Sequence, residues 1–146
     1  MASGFRETSG YFPSPDGDLY GTLFCPDEAA TGTAAVLIDP FGEEKKCAYR
    51  LLVRLARALA GVGVATLRFD LAGTGDSPGE HAEMDYARWA TGVHAAAEFA
   101  LQLDGIETWC PIGARFGALP ALSAASALPP RAVVLLEPIL TGTEFL

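Results

Sequence analysis

The sequence predicts one α/β domain over residues 1–146, with a mainly parallel sheet and helices on both of its faces. Three observations favour this fold class. A chain of 146 residues has the size of one ordinary domain. From residue 34 onward, short apolar segments alternate with segments of helical periodicity, which is typical of strand–helix–strand units. The short segments are apolar at consecutive positions, as expected of parallel strands that are covered on both faces.

An antiparallel hairpin is predicted over residues 11–25, before the strand–helix units begin. Its centre, Pro15-Asp16-Gly17-Asp18, consists of turn residues, and Gly17 supplies the positive φ that closes the bend. The residues after the turn alternate only weakly between apolar and polar. The first part of the chain therefore adds an antiparallel pair of strands to the sheet.

Four buried strands and three helices are predicted for the rest of the chain. The first two helices have apolar residues three or four positions apart on one face, and the first helix has arginines on the opposite face. Gly61 and Gly105 are predicted to end the first two helices, and Gly61 is expected in a left-handed cap. The strands are predicted at 34–38, 64–69, 108–112 and 132–136, and the helices at 48–60, 85–103 and 116–128.

The charge balance restricts the partners of the protein. Eighteen acidic and 10 basic residues give a formal net charge of −8, which repels phosphate backbones, so we expect no nucleic-acid partner. The apolar stretches are interrupted by arginines before they reach the roughly 18 residues of a membrane span. The three cysteines are scattered and fit neither a disulfide scaffold nor a zinc site. We expect a cytoplasmic protein without a membrane span that binds small molecules.

Charged residues follow all four predicted parallel strands. Asp39, Asp70 and Glu137 follow three of them, and Arg115 follows the strand at 108–112. Because open α/β sheets bind ligands beyond the carboxyl ends of their strands, these side chains are expected on one rim. Arg115 is expected to pair with one of the acids or to bind a carboxylate or phosphate. Asp70 is also expected to order its own loop by accepting backbone N–H bonds.

No cofactor or metal site is predicted. A guanidinium among the acids would compete with a divalent cation. The loop after the second parallel strand has Gly73-x-Gly75 without the third glycine of a dinucleotide fingerprint, and the chain has no phosphate-binding P-loop motif.

The stretch Gly113-Ala114-Arg115-Phe116-Gly117 lies between a predicted strand and a predicted helix. This is the setting of the G-x-S-x-G nucleophile elbow, in which the central side chain is held over the sheet edge. Arg115 occupies the position of the serine. A guanidinium stays protonated and has no lone pair for attack on a carbonyl. Ordinary serine hydrolysis through this position is therefore excluded.

Four segments carry a family resemblance: Asp39-Pro40-Phe41-Gly42-Glu43-Glu44, Asp70-Leu71-Ala72-Gly73-Thr74-Gly75-Asp76-Ser77, Gly113-Ala114-Arg115-Phe116-Gly117-Ala118-Leu119 and Glu137-Pro138-Ile139-Leu140-Thr141-Gly142. Together they resemble the first part of an α/β-hydrolase, and specifically the hydrolase 2 family associated with the exosortase A system. The resemblance covers essentially the whole chain. It implies an α/β-hydrolase fold, acyl or ester substrates, and a cytoplasmic setting of exopolysaccharide production and exosortase-dependent sorting.

Two departures from that family pattern bear on the catalytic residues. Asp39 stands where related enzymes usually have a His. The resemblance also implies further strands, a loop with the catalytic acid and a loop with the catalytic His after the fourth parallel strand, and the sequence ends at Leu146. We therefore expect a hydrolase-like domain whose C-terminal strands are missing.

The remaining residues do not form a readable catalytic triad. The resemblance implies that Glu137 can serve as the acid of a triad. His81 and His94 are the candidate bases, but His81 is expected to be exposed and His94 to pair with Glu98 on one helix face. The candidate nucleophiles, all more consistent with structural roles, are Cys47, Cys110, Ser77 and Ser123.

Three hypotheses about function follow. The chain is a nominal acyl or ester hydrolase, a non-catalytic protein that binds an anionic or acyl ligand at Arg115, or an inactive fragment. An uncovered sheet edge would also favour a homodimer. The residues expected to form the ligand site beside Arg115 and Glu137 are Asp39, Phe41, Gly42, Asp70, Ala114 and Phe116.

Overall fold

The computed structural model describes residues 4–28, 31–141 and 143, so Gly142 and Leu146 lie outside the described residues. Within this part of the chain there are six strands and three α-helices, with single 3-10 turns at His81–Glu83 and Arg115–Gly117. The strands are β1 (Phe5–Phe12), β2 (Leu19–Pro26), β3 (Thr33–Ile38), β4 (Ala65–Phe69), β5 (Thr108–Ala114) and β6 (Val134–Leu136). The helices are α1 (Glu43–Gly61), α2 (Tyr86–Leu101) and α3 (Ala118–Ala127).

The strands form one mixed sheet in the order β1-β2-β4-β3-β5-β6. The pairs β4/β3, β3/β5 and β5/β6 are parallel, and β1/β2 and β2/β4 are antiparallel. This arrangement confirms the predicted α/β class, the mainly parallel sheet and the N-terminal antiparallel pair. Because three parallel pairs lie side by side, the ends of β3, β4, β5 and β6 meet at one edge of the sheet.

The central strand β3 shows why its sequence is apolar at every position. Residues from Ala34 to Ile38 are each at most 3% exposed. Val36 and Ile38 belong to the cluster that includes residues of α2 and α3, whereas Leu37 belongs to the cluster that includes residues of α1. Since side chains alternate between the faces of a strand, helices cover both faces of the sheet.

The bounds of several elements differ from the predicted ones, and the differences at β1 and α1 are the largest. β1 begins at Phe5, six positions before the predicted hairpin, because its backbone pairs with β2 although most of its residues are exposed and polar. α1 begins at Glu43 rather than 48, since acidic residues at a helix start are favoured by the helix dipole although they add nothing to the apolar pattern. Gly61 ends α1 without a left-handed conformation, and the left-handed glycine is Gly63, at φ 90°.

The fourth predicted parallel strand is not buried. β6 has three residues, and Val134 is 39% exposed. Among the described residues β6 pairs with β5 alone, so its other edge is unpaired. The prediction of burial was wrong because an apolar run does not distinguish a central strand from an edge strand. Among the helices described, none combines the length and apolar character that a bilayer span requires.

Candidate active site

The elbow is a sharp turn between β5 and α3. Ala114 is still extended, Arg115 has a positive φ of 53°, and one 3-10 turn leads into α3. A residue other than glycine in the left-handed region costs roughly 1–3 kcal/mol. The structure therefore holds Arg115 in the strained strand-to-helix conformation that characterises a nucleophile elbow.

Two glycines allow this turn to pack closely. A Cβ atom at Gly117 would lie 2.7 Å from the backbone oxygens of both Ile38 and Asp39, at the end of β3. A Cβ atom at Gly113 would lie 2.9 Å from the Gly117 oxygen and from the Cα atom of Ala118. Real Cβ atoms do not approach backbone atoms this closely, so larger residues would push the elbow away from the sheet.

The Arg115 side chain pairs with a residue that the sequence did not suggest. Its Nε donates to Glu44 Oε2 at 3.0 Å, and its Nη1 donates to the backbone oxygen of Glu137 at 3.2 Å. The expected partners were the carboxylates of Asp39, Asp70 and Glu137. Glu44 takes this place because α1 begins early and its first turn reaches the elbow, whereas the sequence pattern left residue 44 in a loop.

Asp39 and Asp70 belong instead to a separate ion network at the ends of β3 and β4. Arg68 Nη2 donates to Asp39 Oδ2 at 2.8 Å, and Lys45 Nζ lies 2.7 Å from Asp70 Oδ1 and 3.6 Å from Asp39 Oδ2. The Asp39 side chain is 1% exposed. Burial raises the pKa of its carboxyl, and the charges of Arg68 and Lys45 offset part of that rise.

The loop after β4 is held by Asp70, as the sequence predicts. Asp70 Oδ2 accepts a hydrogen bond from the backbone N–H of Asp76 at 3.0 Å. Ser77 Oγ donates to the Asp70 backbone oxygen at 2.6 Å and accepts from the N–H of Tyr20. The Ser77 hydroxyl thus joins this loop to β2, which is a structural role. A Cβ atom at Gly75 would collide with the Asp70 carboxylate.

An aromatic cluster flanks the elbow. The Phe41 ring is stacked on exposed His81, with centroids 5.2 Å apart, and lies 5.8 Å from the ring of Phe116. Trp89 contacts both phenylalanine rings, and its Nε1 donates to the Ala72 backbone oxygen at 2.9 Å. Between this cluster and the first turns of α1 lies a cavity of about 570 Å³ that Gly42, Lys45, Tyr49, Thr74 and His81 help to line.

The other sequence candidates lie away from the elbow. His94 Nε2 is 3.8 Å from Glu98 Oε1, as predicted, and Cys47 is exposed on α1. Cys110 is partly rather than fully buried, and burial raises the pKa of its thiol. Ser123 lines the same surface groove as His94, between α2 and α3, which spacing along the chain could not reveal. In the described part of the chain, no three His, Cys, Asp or Glu side chains come together as a metal site.

Solved structures share this architecture. The chain is 25% identical to an α/β serine hydrolase without a lid from Xanthomonas campestris, with a TM-score of 0.78, over 94% of this chain and 64% of that one. A Butyrivibrio proteoclasticus protein with ferulic acid bound is 26% identical, with a TM-score of 0.76, over 88% of this chain and 52% of that one. The present chain has the α/β-hydrolase fold.

A third α/β-hydrolase-fold structure supports the fold alone. It is an α/β serine hydrolase homologue from Coxiella burnetii, 18% identical with a TM-score of 0.80, matched over 94% of this chain and 66% of that one. The chain thus spans between about half and two thirds of the length of these three structures. No protein-family model matches the sequence, and no curated protein matches it.

We predict that Gly117→Ala destabilises the protein by about 1–3 kcal/mol, because the added methyl group meets two backbone oxygens. Urea denaturation measures the free energy of unfolding. Gly10→Ala is the matched control, since a Cβ atom there has no atom within 4 Å apart from those of Gly10 and its chain neighbours. Equal effects of the two substitutions would contradict the close packing of the elbow against β3.

We also predict that Lys45→Ala lowers the free energy of unfolding at neutral pH by about 2–4 kcal/mol, because Asp39 and Asp70 lose a partly buried partner. The exposed Lys46–Glu43 pair makes Lys46→Ala the control, with an expected loss of at most about 1 kcal/mol.

The decrease in the free energy of unfolding caused by Lys45→Ala should become smaller as pH falls. Removing Lys45 takes away one of the charges that oppose the raised pKa of Asp39. A carboxyl whose pKa is raised by folding destabilises the fold above that pKa, and the effect disappears as pH falls through it. Urea titrations between about pH 7 and about pH 4 would therefore show the wild type and the variant converging. A constant difference would contradict the prediction.

Proposed function

We propose that this protein binds a small carboxylic acid at the elbow and does not hydrolyse esters through a serine mechanism at that position. The observation that carries the proposal is the Arg115 guanidinium at the elbow position. Its side chain is 40% exposed at the rim of the sheet, where a ligand can reach it. Arginine stays charged and presents a planar set of donors that matches a carboxylate.

The Glu44 side chain supports a carboxylate ligand in particular. Its two oxygens lie 3.0 and 3.4 Å from Arg115 Nε, so a carboxylate already occupies the position that a ligand would take. The Glu44 side chain is 36% exposed, and it can move aside at small cost in a solvated setting. Lys45, the next cation, is engaged by Asp70 and Thr74. Ligand binding would thus exchange one carboxylate for another at Arg115.

The aromatic cluster supports an apolar or aromatic body for the ligand. Phe41 and Phe116 are partly buried beside the elbow, and His81 is exposed on the outer side of Phe41. Aromatic rings favour offset or edge contacts with other rings. Ferulic acid, which is bound to the similar Butyrivibrio protein, combines an aromatic ring with a carboxylic acid. An aryl or acyl carboxylate is therefore the ligand class that fits both groups.

Ferulate is the first probe for this proposal, and calorimetric titration measures its affinity. We expect Arg115→Gln to weaken binding about tenfold, because a charge-assisted hydrogen bond is lost. Glu44→Gln should strengthen binding several-fold, because the competing carboxylate becomes neutral. Arg131→Gln is the matched control, since Arg131 is exposed and its backbone pairs with Trp109 near the opposite end of β5.

Opposite responses of the Arg115 and Glu44 variants would be specific for carboxylate exchange at the elbow. If both variants weaken ferulate binding, the ligand does not displace Glu44 from Arg115, and if neither changes it, the guanidinium does not recognise the ligand. Binding of ferulic acid methyl ester as tightly as ferulate would also contradict the proposal, since the ester carries no charge.

The second candidate function is acyl or ester hydrolysis, which the similarity to a serine hydrolase from Xanthomonas campestris favours. For this chain we expect no turnover of short p-nitrophenyl esters and no labelling by a serine-reactive fluorophosphonate probe, because Arg115 replaces the nucleophile. Labelling of the unmodified chain would identify a different nucleophile and restore the hydrolase hypothesis, because Arg115 itself cannot react with the probe. An inactive fragment would show neither hydrolysis nor ferulate binding.

We make three further proposals, which concern the location, the family and the oligomeric state of the protein. We place the protein in the cytoplasm and in the hydrolase 2 family associated with the exosortase A system, on the four resembling segments. We also propose a homodimer through β6, because its edge is unpaired among the described residues and Val134 is 39% exposed.

A further inference from the structure

Basic residues are concentrated in α1. This helix holds five of the ten basic residues of the chain and two of its eighteen acidic residues. It therefore carries a formal charge of +3, and the rest of the chain carries −11. Such a separation of charge creates one positive surface on a protein that is otherwise strongly acidic.

Four of these side chains form a stripe along the outer face of α1. Lys46, Arg50, Arg54 and Arg57 recur at intervals of three or four residues, which places them on one side of a helix, and all four are exposed. The opposite side, with Leu52 and other apolar residues, packs on the sheet. The stripe is thus presented to solvent by a helix that the core holds in place.

The two ends of the stripe have partners, and its middle has none among the described residues. Lys46 pairs with Glu43 at 3.0 Å. Arg57 Nε and Nη2 donate to the two Glu7 oxygens at 2.6 and 3.3 Å. The guanidiniums of Arg50 and Arg54, by contrast, form no ion pair or hydrogen bond with the part of the chain that the structure describes. Like charges four residues apart on a helix repel each other, so this pair is unfavourable without an anionic partner.

A shallow groove adjoins these arginines. It has a volume of about 280 Å³ and is lined by Tyr49, Arg50, Val53, Arg54 and Arg57, which we call the arginine face. Tyr49 is 51% exposed, and its ring packs over the Arg68 guanidinium at 4.5 Å. The arginine face therefore combines donors for carboxylates with an exposed aromatic surface that Arg68 helps to hold.

We propose that the arginine face docks an acidic, extended segment of a partner protein. Arg50 and Arg54 are separated by about 6 Å along the helix axis. Two acidic residues on the same side of an extended strand are separated by about 7 Å, so each carboxylate can meet one guanidinium. The residue between these two acids projects from the opposite side of the strand, away from the guanidiniums. Arginine suits this role because it binds carboxylates through two parallel hydrogen bonds.

Charge complementarity favours an acidic protein segment over an anionic membrane. A bilayer presents a wide negative surface, which repels the −11 carried by the rest of the chain as well as attracting α1. A short peptide contacts the arginine face alone. Acidic residues of the protein that lie farther than roughly 8–10 Å from the peptide repel it little, because physiological salt screens their charges.

The test uses a fluorescein-labelled nonapeptide that alternates Glu with Leu, and a counterpart with Gln in place of every Glu. We expect saturable binding of the acidic peptide below about 1 mM by fluorescence anisotropy, and none of the neutral one. Arg50→Gln/Arg54→Gln should weaken binding about five- to tenfold. Arg88→Gln/Arg131→Gln removes the same charge from exposed sites outside α1 and should retain most of the affinity.

Several outcomes would overturn the proposal. One is equal weakening by the two double variants, which indicates a response to net charge alone. Another is that the wild-type protein binds phosphatidylserine vesicles but not the acidic peptide, and that Arg50→Gln/Arg54→Gln abolishes the vesicle binding. A third is self-association by sedimentation that the same variant abolishes, again without peptide binding, which would make a second copy the occupant. Circular dichroism confirms that each variant is folded, which is expected because all four side chains are exposed.

Discussion

The close approach of the elbow to the end of β3 is the constraint on which the rest of the site depends. Gly117 faces two backbone oxygens of the neighbouring strand at distances that leave no room for a side chain. This contact fixes where β5 ends and where α3 begins. At the same turn Arg115 has a positive φ of 53°, and its side chain lies at the rim. The backbone of a nucleophile elbow is therefore present here with arginine at its central position.

Electrostatics divides the rim into two regions with different properties. Asp39, Arg68, Lys45 and Asp70 form a mostly buried network that joins β3, β4 and α1, and each charge there has an opposite charge nearby. Such a network is costly to break, because it leaves a buried charge without compensation. The Arg115–Glu44 pair is more exposed and is screened by water, so it can exchange partners at low cost. Structural support and the ligand recognition that we propose thus rest on different ion pairs.

Much of this site could be predicted from the sequence, and the failures have a common cause. The rim, the elbow and the loop-ordering role of Asp70 follow from residues that lie next to one another in the chain. The partner of Arg115 does not, because Glu44 is 71 residues away and lies in a helical turn that the apolar pattern did not include. The shared groove of His94 and Ser123 is a similar case, since it depends on how α2 and α3 pack.

The sequence by itself determined the order of strands and helices, the burial of β3 on both faces, and the replacement of the elbow serine by Arg115. These features depend on local backbone preference and on the period of apolar residues, which are properties of short segments. Only the tertiary structure decided which carboxylate faces Arg115, that β6 lies at an exposed edge, and that Arg50 and Arg54 face solvent without a described partner. Ion pairs and exposure depend on the distances between side chains that are far apart in the chain. A local sequence pattern contains no information about those distances.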